Sequence, residues 1–434
     1  QDSLFTFTMN VIGGLHYFSG DSGSLYHRWN GAEAWGYVGE HLGAYASLRD
    51  NHESERLTDE LTLNRRMGGN YKSNSNGGVD YSEMRGGITW SWDWGTVGLV
   101  KDHFEWGENQ YGANIFSGKT PSFAHLKLNV KPVEWFEFNY IHGWLVSEVI
   151  DSTESFYFES GEAIKRRDVF RDKYLAANLF TFRVVPRLYV SFGNSIIYSD
   201  NGVRPEYLIP VFFYKSVDHT LNATDKPGEN VGQNSQMFFS VSSRNIRKLH
   251  LYSTLFFDEL SIGRMTDPDE HTNFYSWKIG AQTFDFPLQN VSLTGEYTRT
   301  NPMVYKHDVP TTTFASNGFN LGHFMRDNAE TIYLDLRVRP LSRLNLKLSY
   351  VLARKGPDYD YIRSTLKGLP FMEETIWKKT AVDFSASYEV LNDAFVFMNV
   401  TRQNITGEAI DVYTPSVFHG EQWIISLGLN WGVY

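Results

Sequence analysis

The sequence predicts an all-β fold: a transmembrane antiparallel β-barrel of about eighteen strands, with short periplasmic turns and long extracellular loops. Three observations predict it. Residues 332–352, IYLDLRVRPLSRLNLKLSYVL, alternate apolar and polar side chains on both sides of a Pro-containing turn. A period of two puts the two sets on opposite faces of a strand, so one face meets an apolar medium and the other tolerates charge. Short and long connections between such runs alternate along the chain, as periplasmic turns and extracellular loops do. Aromatic residues make up 16% of the chain, and Tyr and Trp settle at membrane interfaces.

The elements follow in order. Beyond residue 120 the hairpins pair 122–130 with 133–145, 173–184 with 188–198, 235–243 with 249–257, 276–284 with 291–298, the 332–352 pair, and 381–388 with 394–401, before a last strand at 422–434. Their turns include Lys131-Pro132, Pro186 and Pro340. The connections 146–172, 199–234, 258–275, 299–330, 353–380 and 402–421 are long and rich in Gly, Asp, Asn and Pro. Strands are read at 4–17, 34–48, 59–67, 81–94 and 96–104 in the less regular beginning. The whole of 1–434 is one barrel domain, and part of 18–80 is a candidate for a plug inside it. An even strand number leaves both termini periplasmic.

This assigns Leu334, Leu336, Leu344, Leu346 and Leu348 to lipid, and Asp335, Arg337 and Lys347 to the lumen. Trp90, Trp92, Trp94, Trp135, Trp144, Tyr198, Trp277, Trp423 and Trp431 are expected in the interfacial girdles. Tyr434 falls off the apolar parity of the last strand unless a bulge intervenes. No run of about 18 uncharged apolar residues exists to make a membrane helix. The absence of cysteine excludes a disulfide framework, and a net charge of −10 disfavours nucleic acid as a partner. No leader is visible before the strand-like run near Gln1, as expected of a mature chain of the bacterial outer membrane after signal-peptide removal.

Residues 101–145 and 174–260 resemble the Wzi-like capsule-assembly barrels, in the form common among Bacteroidetes. The matching pieces are Trp106-Gly107, Gly112, Ile115-Phe116-Ser117 and Pro121, then Ile197-Tyr198, Pro205-Glu206-Tyr207-Leu208, Pro210, the 212–219 run, Asn234, Tyr252 and Asp258-Glu259. Asn194 departs from the acidic residue of many relatives, and Glu108-Asn109 stands where a Pro-containing turn is frequent. The resemblance implies an eighteen-stranded outer-membrane barrel, plugged inside, that holds or recognises surface polysaccharide. It points to ligand-facing groups at the extracellular mouth: Trp106, Tyr111, Tyr198, Glu206, Tyr207, Tyr214, Asp218 and His219. Rings stack on sugar faces and carboxylates accept hydroxyl hydrogen bonds. The bland alternative is that these groups brace long loops.

Other clusters point to ordinary structure. Asp267, Asp269, Glu270 and His271 offer oxygen ligands but lack the Gly-containing frame of a calcium loop. Asp358, Tyr359, Asp360 and Tyr361 read as a turn before a sugar site. The Asn-x-Ser/Thr matches at Asn222, Asn290, Asn399 and Asn404 are taken as chance. No metal, cofactor or catalytic residue is expected: Asp102-His103, Glu105 and Asp258-Glu259 come without a nucleophile motif. Expected partners are outer-membrane lipid or lipopolysaccharide, surface polysaccharide, and other outer-membrane or periplasmic proteins. The alternatives to polysaccharide binding are a barrel subunit or scaffold of a larger assembly and a porin-like channel.

Overall fold

The structure is a computed structural model that describes residues 4–73, 78–161, 163–222, 232–259, 262–361 and 367–432. The expectation for Tyr434 lies outside these residues.

Eighteen antiparallel strands close on themselves: β1 (Phe5–Gly20), β2 (Gly23–Val38), β3 (Leu42–Glu53), β4 (Val79–Trp92), β5 (Gly95–Asp102), β6 (Phe123–Val133), β7 (Phe136–Leu145), β8 (Lys173–Val185), β9 (Leu188–Tyr198), β10 (Asn234–Ser243), β11 (Leu249–Glu259), β12 (Phe274–Thr283), β13 (Val291–Thr300), β14 (Ala329–Leu341), β15 (Leu344–Lys355), β16 (Trp377–Leu391), β17 (Ala394–Thr406) and β18 (Gly420–Trp431). Each strand pairs with its sequence neighbours, and β1 closes the barrel on β18 from Gly13↔Trp431 to Gly20↔Ile424. Closure removes the edges, so each wall strand has a pairing neighbour on both sides, as a bilayer core without water requires.

The alternation holds. Leu334 and Leu348 are half exposed on the outer face, whereas Asp335 is buried inside, where it accepts a hydrogen bond from Arg337 Nη2 at 2.8 Å. Lys347 Nζ lies over the Tyr333 ring on the same inner side. Trp90, Trp94, Trp135, Trp144, Trp423 and Trp431 are exposed. Trp92 and Trp277 are half-buried, and Tyr198 departs furthest from the expected girdle: it has outward parity but is fully buried, because chain covers it.

The beginning of the chain corrects two strand assignments and takes residues 18–33 out of the candidate plug. Residues 18–33 form the tip of the first hairpin, since Gly20, Asp21, Ser22 and Gly23 suit a two-residue turn and β1 and β2 pair from Phe5↔Val38 to Gly20↔Gly23. The run 34–48 crosses a turn at Gly39–His41, where Gly39 has φ +59. The run 59–67 alternates but is no strand: Asp59 Oδ1 accepts from the Leu61 and Thr62 N–H groups, which competes with a ladder. The first long-loop-end connection is therefore only Asp21-Ser22, and the loop asymmetry begins after it. Two turns also shift. β6 and β14 run through Pro132 and Pro340, and the chain reverses at Glu134-Trp135 and Ser342-Arg343, the second beside a register slip between Val338 and Leu341.

Candidate functional site

Segment 103–122, between β5 and β6, crosses to the opposite wall. Its contacts lie on β10 to β14. Ser242 Oγ donates to Glu108 at 2.8 Å, and Thr254 Oγ1 donates to Asn114 Oδ1. Asn114 Nδ2 reaches Ser276 Oγ, and Arg337 Nη2 donates to Gln110 Oε1 at 3.2 Å. The anchor is Glu296, which accepts from the Gln110 and Tyr111 N–H groups, from Tyr252 Oη at 2.7 Å and from Lys278 Nζ at 2.5 Å. Tyr252, Gly280 and Glu296 sit side by side on neighbouring strands, and a Cβ on Gly280 would lie 2.1 Å from the Tyr252 ring. Glycine there lets the tyrosine reach across to the carboxylate. An ion pair this buried is held by the additional hydrogen bonds around it.

Apolar packing completes the crossing. Phe116 meets Phe238 and Phe314, and Tyr111 stacks on Tyr333 with ring centroids 4.6 Å apart. Residues 54–71 lie against this segment, with Lys119 Nζ donating to the Thr62 carbonyl and the Leu63 N–H to the Tyr413 carbonyl. The strands place the inner wall, and loop chain from several connections fills the space between.

At the long-loop end, a polar cleft of about 190 Å³ lies among Glu148, Lys173, Lys306, Asn320, Arg326 and Asp327. Its floor is the apolar cluster that contains Val304 and Phe314. Lys306 Nζ stands 3.1 Å from Asp327 and 3.5 Å from Asp358. Burial alone would raise the Asp358 carboxyl, but Lys355 and Lys306 outweigh it and hold it below the usual carboxylate range. Hydrogen-bond donors and acceptors of both charges therefore converge here.

The eight residues singled out by sequence fall into two places. Trp106 and Tyr111 belong to the lumen segment, where Trp106 packs on Phe104 and Phe116. The other six lie on or beside the β9–β10 connection, in and around its helix α1 (Tyr214–Asn222). Tyr198, Tyr207 and Tyr214 are buried together, and Asp218 is buried with its carboxylate accepting from the Gln233 N–H. Glu206 is partly exposed and His219 exposed. None of the eight lines the polar cleft, whose charged residues carry no motif and converge only through the tertiary fold.

The other clusters have structural partners. Asp267 Oδ1 accepts from the Asp269 and Glu270 N–H groups, and no group of metal-ligating side chains occurs among the described residues. Tyr413 Oη donates to Asp358, and Tyr359 and Tyr361 pack against the lumen cluster. His103 bonds Glu83 and the Thr120 carbonyl, and Asp258 accepts from the Tyr305 N–H at 2.7 Å.

No protein-family model and no curated protein matches the sequence. Among solved structures, the fold is similar to Wzi of Escherichia coli, a carbohydrate-binding outer-membrane β-barrel involved in group 1 capsule assembly. The TM-score is 0.59 at 9% identity over 97% of this chain and 84% of that one. It is also similar to OccD3 of Pseudomonas aeruginosa, with TM-score 0.53 at 12% identity over 98% and 90% of the two chains. OccAB2 of Acinetobacter baumannii gives 0.52 at 10% identity over 99% of each. At these identities the likeness is one of fold: this chain is a closed antiparallel β-barrel of eighteen strands, the fold of these outer-membrane barrels.

Proposed function

We propose that the barrel binds surface polysaccharide at its extracellular mouth, without catalysis, as a capsule-assembly type of outer-membrane protein. The carrying observation is the polar cleft seated above a lumen that chain segments already span. Lys173, Lys306 and Arg326 beside Glu148 and Asp327 offer both donors and acceptors to a ligand dense in hydroxyls. The cleft's cations also suit the carboxylates of an acidic sugar. The fold likeness to a carbohydrate-binding barrel supports this reading. A porin-like channel, which the likeness to the Occ barrels would equally allow, is disfavoured by the bridge from β5–β6 to β13–β14.

The test is the variant Lys306→Met with Arg326→Gln in a heat-modifiable, folded barrel. Binding to the cell's own purified surface polysaccharide is expected to weaken at least about tenfold, or about 1.4 kcal/mol. Unchanged binding would remove the mouth cleft as the site. Single-channel conductance from the unmodified protein would favour the channel instead.

A further inference from the structure

The outer wall of β7, β8 and β9 carries a row of residues unlike the rest of the barrel. Tyr140, Asn178 and Asn194 stand side by side across the three strands with outward parity. The next outward row toward the periplasm is apolar throughout: Phe138, buried in the same cluster, then Phe180 half-buried at its edge and Phe192 exposed. Two asparagines on a lipid-facing wall would be costly if left bare. Both are buried, as are the outward residues above them: His142, Ala176, Ile196 and Tyr198.

What covers them is the connection that follows β9. After Tyr198 the chain turns down over the outside of the barrel. Tyr140 Oη donates to the Tyr207 carbonyl at 3.0 Å. Asn178 Nδ2 donates to the Pro210 and Phe212 carbonyls at 2.8 and 2.9 Å. Asn194 accepts from the Tyr214 N–H at 2.9 Å, and its own amide donates to Asn178 Oδ1. Tyr207 and Tyr214 then pack on Tyr140, Tyr174, Ile196 and Tyr198. Pro205 and Pro210 have no N–H that would need a partner.

The depth of this flap follows from strand length. β7 and β10 have 10 residues each and β9 has 11. A strand needs about 9–11 residues to cross the hydrocarbon, so these three have no length to spare. Asn194 is four residues below the extracellular end of β9, roughly 13 Å along the strand at about 3.3 Å per residue. The flap therefore descends into the apolar band. Its outer side is Leu208, Ile209, Val211, Phe212 and Phe213, all exposed, with Val211 at 60%.

From this geometry we infer that residues 203–218 form a membrane-embedded flap, docked on the outside of the barrel by Tyr140, Asn178 and Asn194, whose 208–213 ridge contacts the acyl chains of the outer leaflet. Irregular backbone is tolerated at membrane depth where protein groups satisfy it, and here the wall's side chains do so for three of the flap's carbonyls. Continuity with the apolar surface at Phe192 and Phe239, both exposed beside it, makes lipid the occupant.

The absence of cysteine gives a clean background for site-directed spin labelling. Nitroxides are placed at Val211→Cys and Phe213→Cys, with Ile425→Cys as a lipid-facing reference and Tyr157→Cys as an aqueous one. Collisions with oxygen and with a water-soluble nickel chelate are compared in lipid nanodiscs. Positions 211 and 213 are expected to match 425, with oxygen dominant. Collisions dominated by nickel, as at 157, would overturn the flap's place in the membrane. Shielding from both probes in native membranes, while 425 keeps its oxygen contact, would overturn lipid as the occupant in favour of a protein. Val211 is the most exposed of the ridge residues, so its variant keeps the test open if Phe213→Cys does not fold.

Discussion

The β14–β15 and β8–β9 hairpins are built on the same period and present their outer faces to different surroundings. On β14–β15 the outward residues include Leu334, Leu336, Leu346 and Leu348, with Leu334 and Leu348 half exposed and, among the described residues, nothing placed over them. On β8–β9 the outward residues change character midway, from Phe180 and Phe192 to Asn178 and Asn194, and then to Ala176, Ile196, Tyr174 and Tyr198. The first hairpin solves the membrane problem with side chains alone. The second solves the lower half that way and the upper half by covering it with its own loop. Parity therefore decides which side of the wall a residue occupies, and a second piece of chain decides what that residue touches.

The largest expected effect tests the bare hairpin. Leu334→Arg places a guanidinium in the apolar band near the middle of β14 and is expected to cost about 2–4 kcal/mol if near the bilayer midplane. Reversible unfolding in lipid vesicles measures it. A cost near zero would mean that this face is covered in the membrane, which would erase the contrast between the hairpins.

Next comes the covered hairpin. Asn178→Leu makes its outer face more apolar, which would suit a wall facing lipid. In this barrel it removes the donor for the Pro210 carbonyl and the shorter of two donors to the Phe212 carbonyl, and a stranded acceptor costs about 1–3 kcal/mol. The expected result is a folded, heat-modifiable barrel whose connection 199–222 is cut faster by protease. An unchanged or slower rate would show that the asparagine does not hold the flap.

The same contrast explains what was legible in the sequence. The Leu334–Asp335 alternation needs only neighbours two residues apart, so the wall and its polarity could be read directly. The first hairpin was harder. Its Asp21-Ser22 turn is polar and compact, and looks locally like the start of a loop. Segment 59–67 failed in the opposite sense, since its alternation is real but Asp59 turns the backbone away from pairing. The flap leaves one local signal in the sequence. Asn194 stood out as a departure, and it occupies mid-strand with lipid-facing parity opposite a second asparagine. A polar pair there calls for a cover. The mouth cleft left none, because loops packing over the lumen bring Lys306 and Arg326 to Lys173 at the start of β8.

The smallest expected effect separates docking by hydrogen bonds from docking by packing. Tyr140 touches the flap in two ways: its ring lies in the cluster with Tyr207 and Tyr214, and its hydroxyl donates to the Tyr207 carbonyl at 3.0 Å. Tyr140→Phe keeps the ring and removes one neutral hydrogen bond, which is worth about 0.5–1.5 kcal/mol. Tyr140→Ala removes both. If the flap is held mainly by polar contacts to the wall, a nitroxide at position 211 gains mobility by a similar amount in the two variants. If packing dominates, Tyr140→Phe stays close to the parent while Tyr140→Ala loosens the label. The buried rings of Tyr174, Tyr198, Tyr207 and Tyr214 around this position favour the second result. Asn178 and Asn194 would then fix where the flap lands, while the aromatic cluster supplies most of what keeps it there. Equal loosening in both variants would reverse that division.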